Sequence, residues 1–173
     1  MNLEKTNKFS WVLADLIIDL GAVSNFYNEC NKSEGFDPFK NKYHLGKIRM
    51  CHTNAVVGLS KLNEALVGYA HELKACCSKE LVSKTWQYTQ IIQDKKIYEF
   101  RSKYAAHVFD KKTGAPLDLQ SGYERLTNIV GSTAEEVQSF YNWINIDILD
   151  HLIEIQDNLS THLESLRNHE IRT

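Results

Sequence analysis

Ten residues constrain the shape of this chain more than any others. Leu45, Ile48, His52, Ala55, Leu59, Leu62, Leu66, Tyr69, Leu73 and Cys76 follow one another in alternating steps of three and four. That alternation puts them on one seam of a single long helix. A 3-4 seam packs its helix nearly antiparallel against its neighbours in a bundle. His52 lies on the seam, where a histidine is expected to be a hydrogen-bonded core residue.

The rest of the chain fits the same architecture. Thr6 to Asn28 predicts a first helix. Trp11, Ala14, Ile17, Ile18, Gly21 and Ala22 recur at helical spacing, and Asp15 and Asp19 fall on another face. Residues 30–43, with Gly35 and Pro38, read as a loop. A third helix is predicted from Lys79 to Val108, bent near Gln93, with Gly114 and Pro116 as terminators. Ser121 and Glu124 have capping-box spacing and predict a short helix through Val130. Ser132 and Glu135 repeat that spacing at the start of a last long helix carrying Val137, Tyr141, Ile144, Ile148, Leu152, Ile155 and Leu159. The expected fold is all-α, an up-down bundle of four long helices and a short fifth, in one domain over residues 1–173. The polar end from 160 to 173 is expected to fray.

Two prolines and eight glycines among 173 residues are too few for most β-rich folds. The most apolar segment, residues 11–23, is interrupted by Asp15 and Asp19. The chain is therefore expected to be cytoplasmic, with neither a membrane span nor a signal peptide. Cys30, Cys51, Cys76 and Cys77 include no C-x-x-C pair and are expected to be buried thiols in a reducing compartment. Cys51, His52 and His71 match no closed zinc spacing, so no metal and no cofactor is expected.

The net charge of −2 excludes a protein that coats nucleic acid through a global basic excess. The charge is nevertheless polarised. Residues 95–112 hold Lys95, Lys96, Arg101, Lys103, Lys111 and Lys112 against Glu99 and Asp110, whereas residues 131–165 hold seven acids and neither lysine nor arginine. A solvated charged face is one reading of the basic cluster. A patch that guides a phosphate backbone is the other.

Within that cluster stands FRSKYAAHVFD, residues 100–110. At about 100° per residue, Ile97, Phe100, Tyr104 and Val108 form an apolar stripe flanked by Arg101 and His107, which diverge by about 120°. Such a pair cannot easily grip one atom from a straight helix. Facing a second copy across a two-fold axis, the stripe would bring two such pairs together. Histidine can exchange protons at neutral pH, and arginine can stabilise the charge gathering on a phosphorane. Together they suit RNA cleavage without a metal, with Ser102 orienting the phosphate or the imidazole. The spacing by itself arises by chance about as often as not in a chain of this composition.

The run R-S-K-Y-A-A-H, on the third helix of a bundle and before a short turn, resembles the R-x4-6-H signature of the HEPN superfamily. Its nearest likeness is to the AbiU2-related proteins of phage abortive infection, whose second-helix segment AVVGLSKLNEA (55–65) also resembles. The resemblance implies a metal-independent endoribonuclease, a toxin or defence effector working as a homodimer with an antitoxin partner. Arg101 and His107 match the signature positions. Ser102 stands where Asn, Asp or His is more usual. The spacing of five and Phe109 in place of a tyrosine depart from the subgroup silenced by modification of that tyrosine, so that mode of control is not expected. Lys95, Lys96, Lys103, Lys111 and Lys112 would supply RNA contacts. The alternatives are a non-catalytic helical module binding RNA or a partner protein, and a helical protein whose polarised surface only drives self-assembly.

Overall fold

A computed structural model describes residues 3–105 and 118–170, and among these every regular element is helical. Helix α1 spans Leu3–Lys32 and α2 spans Lys42–Gly68. Their register is antiparallel: Lys5 pairs with Glu72 just beyond α2, Phe9 stacks on Tyr69, Leu20 meets Gly58, and Tyr27 faces His52. Contact is closest at Gly58, where a Cβ would lie 2.8 Å from Leu20 Cδ2. By length and composition α1 could cross a membrane. Here its buried face, with Phe9, Leu13, Leu16 and Leu20, belongs to the common core. Each such side chain contributes roughly 1.5–3 kcal/mol of burial.

The periodicity expected for α1 chose the wrong stripe. Trp11 is 68% exposed and Ile18 is 66% exposed. The helix carries two adjacent apolar stripes, and α2 covers the one through Phe9 and Leu20. The seam of α2 is buried from Ala55 through Leu66, but the helix does not continue to Cys76. It kinks at Tyr69, and α3 (Ala70–Cys76) takes over, with the ladder resuming as Leu73 N–H donates to Tyr69 O at 3.0 Å.

Helix α4 (Lys79–Asp94) is capped by Ser78, whose hydroxyl accepts from Leu81 N–H. The predicted third helix is broken at Lys95 and Lys96, slightly beyond the bend expected at Gln93. Lys96 has φ 55° and ψ 33°, left-handed values uncommon for a side-chain-bearing residue. The short α5 (Ile97–Phe100) follows and opens directly into a π-helical segment, Arg101–Ala105.

Asp118, not Ser121, caps α6 (Leu119–Val130). Its carboxylate accepts from the Gln120 and Ser121 amides, while the Ser121 hydroxyl donates to it. The second capping box is shifted by one residue from its expected place: Thr133 and Glu136 form it at the start of α7 (Ala134–Asn142). Gly131 sets that frame with φ 119°, and a Cβ there would strike the Glu136 and Val137 backbone at 2.8 Å. Helix α7 runs through a π-helical segment, Trp143–Ile148, into α8 (Leu149–Glu170), forming one continuous column. This column lies antiparallel to α1 through the pairs Asn28–Gln138, Ser24–Tyr141, Gly21–Leu149 and Ser10–Gln156. Instead of fraying at 160, α8 continues to Glu170 with Leu163 buried.

Candidate nucleic-acid interface

The residues around Arg101 take their positions from the left-handed turn at Lys96. It redirects the chain so that Ile97 and Phe100 enter the core. The stripe expected to face a second copy is therefore buried, at these two positions, within the chain's own core. Val108 lies outside the described residues.

With the stripe turned inward, Arg101 stays at the surface, its side chain 35% exposed. The guanidinium pairs with the Glu64 carboxylate on α2. The Ser102 hydroxyl donates to Glu99 O at 3.1 Å, and Glu99 lies 3.9 Å from the Arg125 guanidinium. Arg101 and Ser102 are thus neighbours on one exposed turn. His107, Lys111 and Lys112 lie outside the described residues.

The lysines of the cluster divide. Lys96 and Lys103 are exposed. Lys95 folds inward, where its ammonium donates to Ile129 O at 2.9 Å and sits 5.7 Å from the centre of the Phe140 ring. Burial holds its pKa below the usual lysine range. It borders an open cleft of about 680 Å³ between α6 and α7, walled by Phe140, Trp143, Ser139 and Glu135. So Lys95 acts as an anchor for α6, and the phosphate-facing role expected of it has no support in its geometry.

The histidines in the core are neutral at physiological pH. His52 Nδ1 lies 2.9 Å from the Tyr141 hydroxyl, and burial brings its pKa down to about 4. Burial also raises the Tyr141 pKa, so the phenol stays neutral and shares one hydrogen bond with the neutral imidazole. Tyr141 stacks on Tyr27 at 3.8 Å. His52 is therefore the hydrogen-bonded core histidine expected from the seam. His151 Nε2 lies 2.9 Å from Thr85 Oγ1, whose proton goes to Leu81 O, so the ring donates from Nε2. Its pKa is also lowered to about 4, chiefly by burial and then by nearby Lys84. Cys30 and Cys51 are buried free thiols, whereas Cys76 and Cys77 are only partly buried. Burial pushes Cys51 up to about 11 and Cys77 to about 12. Among the described residues no three His, Cys, Asp or Glu side chains come together to hold a metal.

A second basic surface did not figure in the sequence expectations. From 31 to 50 no residue is fully buried, so the end of α1, the turn and the start of α2 lie at the surface, with Ile48 packed against the core. Phe39 is 97% exposed and Tyr43 is 70% exposed, with Lys40, Lys42 and Arg49 exposed beside them. The sequence held a signal for this surface: no acid occurs from Pro38 to Asn63, while Lys40, Lys42, Lys47, Arg49 and Lys61 do. Lys42 and Glu64, Arg101's partner, stand about 33 Å apart along α2 at the rise of a regular helix. No family model, curated protein or solved structure matches this chain.

Proposed function

We propose that this chain acts on RNA as a metal-independent endoribonuclease of the HEPN type, a cytoplasmic defence effector working as a homodimer and restrained by an antitoxin protein. The reading includes an up-down bundle of HEPN arrangement, to which the antiparallel packing of α1 on α2 and on the α7–α8 column lends support. The observation that carries it is Arg101. Its guanidinium sits at the surface on a π-helical segment immediately after a left-handed lysine. Strained and π-helical backbone of this kind concentrates at functional sites. A carboxylate, Glu64, now occupies the guanidinium, and a scissile phosphate offers it the same paired oxygens.

In the proposed chemistry His107 takes the proton of a 2′-hydroxyl, the oxygen attacks the adjacent phosphorus, and Arg101 stabilises the phosphorane. The 5′-oxygen leaves with a proton given back by the imidazolium, giving a 2′,3′-cyclic phosphate and a 5′-hydroxyl end. In this reading Ser102 orients the phosphate, and Lys96 and Lys103 hold the flanking backbone. The test is cleavage of a labelled RNA in the presence of EDTA. Cutting is expected with the parent chain and lost in Arg101→Ala and His107→Ala. Equal cutting by both variants removes the assigned roles.

A non-catalytic module that binds RNA or a partner protein is the second reading. It is favoured by the burial of Ile97 and Phe100, which withdraws the stripe through which two copies were to meet. Salt-sensitive RNA binding without cleavage, at any pH between 5 and 9, would select it.

A further inference from the structure

The tip of the α1–α2 hairpin is built more firmly than its exposure suggests. Asp37 Oδ1 accepts from the Phe39 and Lys40 amides at 2.9 and 3.1 Å. The Asp37 amide donates to His44 Nδ1 at 3.1 Å, and the Phe36 ring stacks on His44 at 4.7 Å. Asn41 caps α2 by accepting from Tyr43 N–H. These bonds hold the backbone of the turn that carries Phe39 at its apex, with the ring in solvent. Asp37 also pairs within the turn, with Lys40 at 3.4 Å. Burial of apolar area does not explain Phe39, because nearly all of its surface faces water.

We infer that this tip is a docking surface for single-stranded RNA, with Phe39 and Tyr43 as stacking platforms for bases and Lys42 and Arg49 as phosphate contacts. The inference rests on the reading of the chain as RNA-directed and adds a second place where RNA is gripped. Aromatic faces interleaved with cations bind single strands whatever their sequence, since every base has a π face. Lys47 lies 4.8 Å from the Tyr43 ring centre, so one face of that ring already carries a cation. The distribution of charge favours a linear polyanion over a flat anionic surface. Lys42 and Arg49 stand about 10 Å apart along the axis of α2, and the acid-free run continues beyond them to Asn63, next to Glu64 and Arg101. A lipid surface would touch only the apex. A strand lying along α2 would pass from the tip to Arg101 without meeting a carboxylate on that helix before Glu64.

The test uses the full chain, fluorescein-labelled oligouridine and anisotropy from 50 to 200 mM salt. Lys42→Ser with Arg49→Ser should reduce the slope of log affinity against log salt by about 1.4, or 0.7 per lost contact. Phe39→Ala and Tyr43→Ala should each weaken binding roughly 10-fold at fixed salt, with the melting temperature unchanged. If these shifts appear but no RNA is cut, the tip assignment stands and the nuclease reading falls. If RNA is cut and none of the three variants changes affinity, slope or KM, the tip assignment is overturned and the nuclease reading survives. Two other results also overturn it: variants that lose only binding to phosphatidylserine vesicles, and variants that change only the sedimentation coefficient.

Discussion

Two basic surfaces of this chain invite comparison: the turn around Arg101 and the tip around Phe39. The first is the denser cluster in sequence, yet much of it is engaged. Lys95 anchors α6, Arg101 pairs with Glu64, and Ile97 and Phe100 between them enter the core. The second is sparser, and its Phe39 and Tyr43 rings and its Lys42 and Arg49 side chains face solvent. The difference teaches that charge counted along a chain is not charge available at a surface. The turn at Lys96 decides what the first cluster can reach, whereas the absence of any fully buried residue decides it for the tip.

The largest effect separating them should be on stability. Phe100→Ala empties a buried site and should cost about 3–5 kcal/mol in urea unfolding. Phe39→Ala should lie within about 0.5 kcal/mol of the parent. Equal costs would erase the distinction.

Acid should sharpen the contrast next. His52 and His151 have folded pKa values of about 4 against an ordinary 6.5. The unfolded chain therefore binds more protons between those values. Stability should be fully present above pH 6.5 and fall as the pH drops towards 4, by on the order of 1–3 kcal/mol for each histidine. A urea midpoint that stays flat from pH 7 to 4.5 would mean that the two rings are not held neutral.

The smallest effect concerns the pairing of Arg101. Glu64→Gln should change stability by less than about 1 kcal/mol, since the pair is partly exposed. Freed of its partner, Arg101 should tighten RNA binding roughly 2- to 5-fold, the equivalent of such a pair in affinity. Weaker binding in this variant would show that Glu64 holds Arg101 in its working orientation.

Much of the helical framework was legible in the sequence. The seam from Ala55 to Leu66 could be read because its spacing is unbroken and its polar neighbours fall on the opposite face. The placing of His52 followed from the same seam. The choice of stripe on α1 could not be read, because Trp11 and Ile18 recur as regularly as Phe9 and Leu13. Only the helix that covers one of them decides. The caps were misplaced for a related reason. Ser132 and Thr133 offer capping boxes in adjacent frames, and the backbone of Gly131 selects the second. At the site, Arg101 and Ser102 were visible as a motif. Their partners Glu64 and Glu99 were not, since the first lies 37 positions away and the second acts through its backbone.

The π-helical stretch from Trp143 to Ile148 has a consequence for heredity. Each of its turns closes over one more residue than an α-helical turn, yet α7 and α8 stay on one axis with Ile144 and Ile148 buried. A gene encoding this column could lose one codon there and let the stretch relax to the ordinary period, keeping the helices on either side. The same loss in the middle of α2 would rotate Leu59, Leu62 and Leu66 away from the core. These two helical runs thus differ in what they can survive: one has a joint at which its length can drift, and the other has none between Cys51 and Leu66.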